Sequence, residues 1–340
     1  MKTPLHILVS RLRFMGDIIL TTPLLHALRM MYPEAVISYL AEEPYISLLR
    51  NHPDVHRLLP LNKRDKWLQA RLLGTILTQR IDVAIDLFGN PRSAMLTLMT
   101  GAKIRIGGNY RGRRLCYTHR IEDDGVQLSA IDYHMRYLQP LGNVPTPEKP
   151  YLVLSPREKE WANKYLDYKG YDTDKKLIGI HPGATWPAKR WFPERFAELA
   201  NMLAAEKNAQ IVFTMGPGEE ELLKQVISLC KFEVIQPEVL SLRKMMALLH
   251  NLNVFVTNDC GPMHIAPAMG TPTVGIFGPG EPGIWFPYSP ANGHRLIYHS
   301  LDCSRCHQDH CNKLNCMQAI STKEVFNVVC DTINSRDIFR

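Results

Sequence analysis

The segment Thr257-Asn258-Asp259-Cys260-Gly261-Pro262-Met263-His264 packs a carboxylate, a thiol, a glycine, a proline and an imidazole into one short turn. Gly261 permits close backbone approach. Pro262 suits a first helical turn, where the N–H it lacks would go unused. The free N–H groups of such a turn, together with the positive end of the helix dipole, form an anion site. His264 either points to that anion or is a satisfied helix histidine. A second chemical loop, Pro182 to Pro193, sets Lys189 and Arg190 between small residues and aromatics. Lys189 is a compact charge suited to phosphate, and Arg190 can fork onto a second oxygen or a carboxylate. Adjacent cations before a helix also occur as plain surface. The position at a strand end favours phosphate.

Two more loops carry carboxylates. In Met215-Gly216-Pro217-Gly218-Glu219-Glu220-Glu221 the acids open a helix, and Glu219 could accept both hydroxyls of a ribose or simply favour the helix start. In Arg11-Leu12-Arg13-Phe14-Met15-Gly16-Asp17, Gly16 gives a tight turn and Asp17 stands at or near a helix N-terminus. Asp17 reads either as a cap or as a carboxylate base. The positive helix end works against the second role. This loop is not GxGxxG, so it does not announce a dinucleotide site.

Each loop follows a short stretch rich in β-branched residues. Leu5–Ser10, Ala35–Leu40, Val55–Leu61 and Asp82–Leu87 read as strands, as do Leu177–His181, Gln210–Thr214, Val254–Thr257 and Thr273–Phe277. Helical patterns lie between them. Ile18–Met31 reads as one helix. Phe196, Leu199, Ala200 and Leu203 form one apolar helical face, and Leu242, Met245, Met246 and Leu249 another. Alternating strands and helices predict an α/β fold with parallel sheets covered on both faces. Ligands of such sheets bind at the carboxyl ends of the strands, where all four loops fall.

The 340 residues predict two domains. Pro-rich 143–150 and polar 169–176 mark the joint. The expected division is 1–160, 175–320 and a final segment 321–340. That segment forms a helix with Phe326, Val329, Cys330 and Ile333 on one face, opening in a capping box with Glu324, and is expected to pack back toward the N-terminal domain. Apolar residues make up 45% and charged residues 21%, which excludes disorder. Arg11 and Arg13 interrupt the first apolar stretch, so no signal peptide is expected, and no run reaches membrane-spanning length. A soluble cytoplasmic protein is the expectation. Residues 1–150 hold 20 Lys and Arg against 13 Asp and Glu, whereas residues 151–340 hold 20 of each. All of the +7 charge therefore lies in the first part. An anionic partner or a merely solvated surface would both account for it.

The motifs together resemble the ADP-heptose:lipopolysaccharide heptosyltransferases, glycosyltransferase family nine. The resemblance lies in Gly16-Asp17 with Leu20-Thr21-Thr22-Pro23, His181-Pro182-Gly183-Ala184 with Ala188-Lys189-Arg190-Trp191, and Asn258 to His264 with Ala266 and Gly270. Cys303-Ser304-Arg305-Cys306 leading to Cys316-Met317 is a further match. The segments run in family order over nearly the whole chain. The resemblance implies a GT-B fold, two Rossmann-like domains facing a central cleft. It implies an acceptor site in the first domain and an ADP-sugar site in the second. It also implies an inverting displacement that needs no catalytic metal and no cofactor. Asp17 falls on the family's general base and Lys189 on its diphosphate lysine. Glu219 falls loosely on the ribose glutamate, and Asp259, Gly261, Pro262, Met263 and His264 on the phosphate turn. Cys260 stands where a serine or threonine is usual. The implied partners are a nucleotide sugar and an anionic glycolipid acceptor. Lys103, Arg105, Arg111, Arg113, Arg114 and Arg120 would meet the acceptor or the inner-membrane surface, with Arg13, Arg111, Arg113 and Arg114 the acceptor candidates.

Cys303, Cys306, Cys311 and Cys316 have a zinc-knuckle-like spacing, with Cys in the third place instead of His. They read either as free or structural thiols or as a structural zinc site. A knuckle also raises nucleic-acid binding as a rival function. The basic cluster lacks interleaved aromatics, so no nucleic-acid partner is expected. The other rivals are a different nucleotide sugar as donor and a GT-B sugar-nucleotide epimerase.

Overall fold

A computed structural model describes residues 4–236, 238–303 and 306–338. It forms two compact units that divide between Val153 and Leu154. In the first unit the chain runs through β1 (His6–Ser10), α1 (Met15–Ile19), α2 (Thr22–Met31), β2 (Val36–Glu42), β3 (Arg57–Leu61), α3 (Lys66–Thr78), β4 (Val83–Asp86), α4 (Pro91–Met99), β5 (Ile104–Gly108), β6 (His119–Ile121) and α5 (Ala130–Met135). The six strands form a sheet in the order β3-β2-β1-β4-β5-β6, and every pair is parallel. Strand β1 is buried along its whole length, as a central parallel strand covered on both faces must be. The order reverses between β1 and β4. That is the switch point where loops part and a ligand can enter.

The second unit repeats this plan with fewer strands. It contains α6 (Pro156–Tyr168), β7 (Lys176–His181), α7 (Pro193–Lys207), β8 (Ala209–Phe213), α8 (Glu220–Ser228), α9 (Leu242–His250), β9 (Val254–Asn258), α10 (Pro262–Ala268), β10 (Thr273–Ile276), α11 (Pro282–Trp285), β11 (Arg295–Ile297), α12 (Asn315–Ala319) and α13 (Thr322–Ile338). The parallel sheet runs β11-β10-β9-β7-β8, so its switch point lies between β7 and β9. The expected α/β architecture of two doubly wound sheets is what the chain forms.

Several expectations change in detail. The helix expected over Ile18–Met31 is two helices. Thr21 Oγ1 donates to the Ile18 carbonyl at 2.7 Å and Thr22 Oγ1 to the Ile19 carbonyl at 2.8 Å. Pro23 has no N–H to carry the ladder on, so the chain breaks and restarts. The unit boundary falls before α6 rather than at residue 160. Glu158 on α6 accepts from Arg243 on α9 at 2.7 and 2.5 Å, which ties α6 to the second unit. The final helix packs on α7 within the second unit. Val325, Phe326, Val329, Cys330 and Ile333 join the second core.

Candidate functional site

In the first unit the site grows from the end of β1. Asp17 is the third residue of α1 and is 8% exposed. Its Oδ2 accepts from the Phe14 amide at 3.2 Å, a backward cap on the helix start. Its Oδ1 is paired with the Arg11 guanidinium. The cap reading and the base reading therefore describe one buried carboxylate with two differently engaged oxygens. Each carboxylate oxygen has a second lone pair, so these contacts leave room to accept a proton.

Arg11 was not among the sequence candidates, yet it links the two sides of the switch point. Its Nη1 donates to the Leu87 carbonyl at 2.6 Å, just beyond β4, and its guanidinium lies 5.1 Å from the Phe88 ring centre. Asp86 at the end of β4 builds that turn. Fully buried, it accepts from the Phe88 and Gly89 amides at 3.0 Å each through Oδ1, and from the Tyr117 hydroxyl at 2.7 Å through Oδ2. Burial and the neighbouring carboxylate hold the Tyr117 phenol far above its ordinary range. Tyr117 is therefore a fixed donor.

The basic residues divide. Arg13 is exposed at the mouth of the loop, 6.0 Å from the Phe88 ring centre. Arg113 lies 4.9 Å from the ring centre of Tyr110. Tyr110 in turn lies over Gly89 and Gly108, where any Cβ would strike its ring. Arg13 and Arg113 thus share an edge with Phe88 and Gly89 beside Asp17. Arg111 and Arg114 are exposed, and among the described contacts their side chains have no tie to that edge. Arg105, expected in the basic cluster, is a brace. It donates to the carbonyls of Cys116 and Ala102 at 2.8 and 2.6 Å.

In the second unit the loops after β7 and β9 meet at the switch point. Lys189 closes a 3-10 turn, Pro187–Lys189, and its Nζ lies 2.6 Å from Asp259 Oδ2. It also lies 4.7 Å from the Trp186 ring centre. Asn258, fully buried, bolts the two loops together. Its Nδ2 donates to the Pro182 carbonyl at 2.8 Å, and its Oδ1 accepts from the Trp191 amide at 3.0 Å. Trp191 is wholly buried and donates through Nε1 to the Ile320 carbonyl at 3.1 Å. The cation therefore stands on a loop anchored at both ends. Arg190 Nε donates to the Ala184 carbonyl at 2.8 Å, which makes this residue a brace of the same loop.

Glu219, just ahead of α8, accepts from the Gly216 amide at 2.6 Å. Its carboxylate lies against Gly183, where a Cβ would collide with it. His181 Nε2 is 3.5 Å away, and burial lowers that imidazole's pKa. Glu219, Lys189 and Asp259 thus stand on neighbouring loops of one sheet edge.

The turn at 259–264 corrects the sequence reading in two ways. The amides of Met263 and His264 already donate to the carbonyls of Cys260 and Gly261 at 3.2 and 3.0 Å. The turn's own bonds do not use the amides of Cys260 and Gly261. Pro262 has no amide N–H to offer. The Met263 side chain is buried, with its sulfur beside Gly275. His264 is buried too, and its Nδ1 pairs with the Tyr288 hydroxyl at 2.8 Å. Burial, then Lys189, pushes its pKa down to about 3. His264 is thus a neutral, buried imidazole with Nδ1 committed to Tyr288. Burial also pushes the Cys260 thiol up to about 12, so it remains a thiol beside Thr257.

Within the cysteine-rich segment, Cys303 and Cys306 lie close enough to Cys316 to act on its thiol electrostatically. Among the described residues no three His, Cys, Asp or Glu side chains are placed to hold an ion. Cys316 is buried in the second core, Cys311 accepts from the Leu314 amide at 3.4 Å, and Cys303 and Cys306 are exposed. Ser304 and Arg305 lie outside the described residues. The segment does touch the site's loops. The Asp309 carbonyl accepts from the Ala188 amide at 3.0 Å, and His307 Nε2 lies 2.7 Å from Glu281.

The model of glycosyltransferase family 9 (heptosyltransferase) matches residues 69–316. A lipopolysaccharide core heptosyltransferase, OpsX, of Haemophilus influenzae is 24% identical over 304 residues, covering 87% of this chain and 86% of that protein. The crystal structure of a family 9 glycosyl transferase from Veillonella parvula covers 98% of this chain and 99% of its own, with a TM-score of 0.85 and 24% identity. The structure of E. coli ADP-heptose lipopolysaccharide heptosyltransferase II covers 98% of this chain and all of its own (100%), with a TM-score of 0.82 and 23% identity. The fold these structures share with the chain is GT-B.

Proposed function

The chain belongs to glycosyltransferase family 9, the heptosyltransferases, and from that premise we propose that it moves heptose from ADP-heptose onto a lipopolysaccharide inner-core acceptor. The reaction is an inverting displacement. Asp17 takes the proton of the acceptor hydroxyl as its oxygen attacks the anomeric carbon from the face opposite the diphosphate. The bond from that carbon to the diphosphate oxygen breaks, and its electron pair stays on ADP. Lys189 and the amides of Cys260 and Gly261 meet the charge that develops there. Glu219 receives the ribose hydroxyls.

The observation that carries this reading is the Lys189–Asp259 pair at the β7/β9 switch point. Asp259 orients the ammonium at the sheet edge. An arriving diphosphate offers the same ammonium more charge, and Lys189 has further protons to donate. A protein cation in this position fits leaving-group stabilisation without a metal, so full turnover is expected after chelation. Arg13 and Arg113 stand at the edge beside Asp17, where an acceptor's phosphates or carboxylates would be held. The enzyme would work at the cytoplasmic face of the inner membrane, where such an acceptor lies. No described helix is long and apolar enough to cross a membrane.

Incubation with ADP-heptose and a panel of truncated lipopolysaccharide cores tests the donor and the acceptor together. Release of ADP that depends on one core, with a mass increase of one heptose on that core, is the expected result. Consumption of another nucleotide sugar with every core inert to ADP-heptose would overturn the heptosyl reading. Turnover of a UDP-sugar without any acceptor would favour an epimerase instead.

A further inference from the structure

Helix α3 has an outward face that holds none of the residues of the proposed transfer site. Its thirteen residues bury only Leu72 and Ile76, which join the core formed with Leu8, Leu40 and Leu59. Asp65 caps its start, accepting from the Trp67 and Leu68 amides at 2.9 and 3.0 Å. That cap fixes Trp67 on the first turn, pointing away from the core and 86% exposed. Leu77, ten positions on, is 58% exposed. At roughly 100° per residue, Trp67, Ala70, Gly74 and Leu77 share the side opposite Leu72 and Ile76. A Cβ added at Gly74 would meet nothing, so this side is open. Lys66 and Arg71, both exposed, flank the strip on either edge.

We propose that this face of α3 is the surface on which the enzyme rests against an anionic lipid bilayer. The occupant follows from charge and side-chain type together. Residues 63–80 carry five cations and the single acid Asp65, whose carboxylate is spent on the helix start; Lys63 and Arg80 pair with Glu42 and Asp82, which leaves Arg64, Lys66 and Arg71 as the charges beside the strip. The helix itself has no acidic residue. Tryptophan partitions to the headgroup level of a bilayer, with its ring in the apolar margin and its N–H in the polar one. A helix lying flat with a narrow apolar strip and basic margins is the form that binds such a surface. Trp67 and Leu77 would enter together, roughly 15 Å apart along the axis. The inference deepens the proposed function by showing how an enzyme without a membrane span could sit where its glycolipid acceptor lies. Its test uses neither donor nor acceptor, so each reading can fail alone.

The full-length protein is sedimented with vesicles of phosphatidylcholine alone, or with phosphatidylglycerol added, at low and high salt. Wild type should pellet with the anionic vesicles at low salt and stay in solution otherwise, with a blue shift in tryptophan emission. Trp67→Ala should weaken binding about tenfold and abolish most of the blue shift. Each charge removed in Arg64→Gln and Arg71→Gln should cost roughly fivefold. Tyr168→Ala removes an equally exposed aromatic (84%) from the second unit and should change nothing. Unchanged melting of Trp67→Ala confirms that its loss of binding is not unfolding. Equal binding to neutral vesicles, or Trp67→Ala binding like wild type, would overturn the proposal. So would a Trp67→Ala variant altered only in its elution as an oligomer, which would assign the face to a second copy.

Discussion

The two sheet edges use one architecture with the charges exchanged. In the first unit a cation, Arg11, holds a carboxylate, Asp17, at the β1/β4 switch point. In the second a carboxylate, Asp259, holds a cation, Lys189, at the β7/β9 switch point. The Lys189–Asp259 pair joins the loops on either side of its split, whereas in the first unit that link is made by Arg11 alone, through the Leu87 carbonyl. Each pair rests on a buried polar residue at the end of the neighbouring strand, Asp86 in one and Asn258 in the other. A buried neutral histidine lies under each. His134 meets the Leu20 carbonyl at 3.2 Å, and His264 meets Tyr288. The difference shows that one doubly wound plan can present either a carboxylate or an ammonium at its switch point, the groups proposed above as proton acceptor and anion clamp. The loops supply the sign of the presented group, and the opposite charge orients it.

The comparison breaks most visibly at the clamp. Lys189→Gln should lower kcat/KM on the order of 10³-fold and weaken ADP binding, because it removes charge stabilisation of the leaving group. Steady-state rates with calorimetric ADP titration would show both losses. A variant that kept ADP affinity and lost only kcat would confine Lys189 to the transition state. Arg11→Lys should be milder, roughly tenfold in kcat, because it loosens the base by a misplacement rather than deleting it. ADP affinity should stay as in wild type, and this split separates the two edges. A joint fall in kcat and ADP affinity would mean that the edges are not independent.

Stability sharpens the comparison further. Asn258→Ala should cost about 1–3 kcal/mol, because it strands the Trp191 amide and two loop carbonyls in a buried setting. Thermal melting measures this, and a neutral result would remove the loop bolt from the account. The smallest effect is with pH. Burial pushes the pKa of His134 down to about 3, as it does for His264. Below about pH 6.5 the unfolded chain therefore binds protons that the folded chain refuses. Stability should fall gradually as pH drops through that value. Glu158, held down to about 2 chiefly by its hydrogen bond from Arg243, adds a second loss as pH falls below its unfolded value of 4.5. Melting temperatures across this range should decline in both stages. Glu158→Gln should remove the second stage alone.

Much of this was legible in the residues, and what was missed has physical causes. β-branched runs such as Leu5–Ser10 and Thr273–Phe277 announced central strands because both their faces are buried. Ile104–Gly108, Arg295–Ile297 and His119–Ile121 carry glycine, arginine or histidine and lie toward the sheet edges, so their patterns are weak. Lys189, Glu219 and Asp17 stood out because polar residues at strand ends seldom lack a task. Their partners did not stand out. Arg11 and Asp86 became visible only when the parallel register brought Ser10 beside Asp86. The signal for Asp86 was an acid closing an otherwise apolar strand. For the turn at 259–264 the spacing left the role of His264 open and did not show which amides the turn bonds internally. Which amides a turn consumes, and that Tyr288 takes His264, are properties of packing that spacing does not encode.

The central claim is that proton removal and leaving-group stabilisation belong to separate edges, with Asp17 acting on the acceptor. The direct test measures heptose transfer and ADP binding on one preparation of Asp17→Asn, which keeps the shape and loses the basic oxygen. The account predicts a loss of transfer of about 10²–10⁴-fold with ADP affinity unchanged. Transfer close to wild type would contradict it, and so would ADP affinity lost in parallel with transfer.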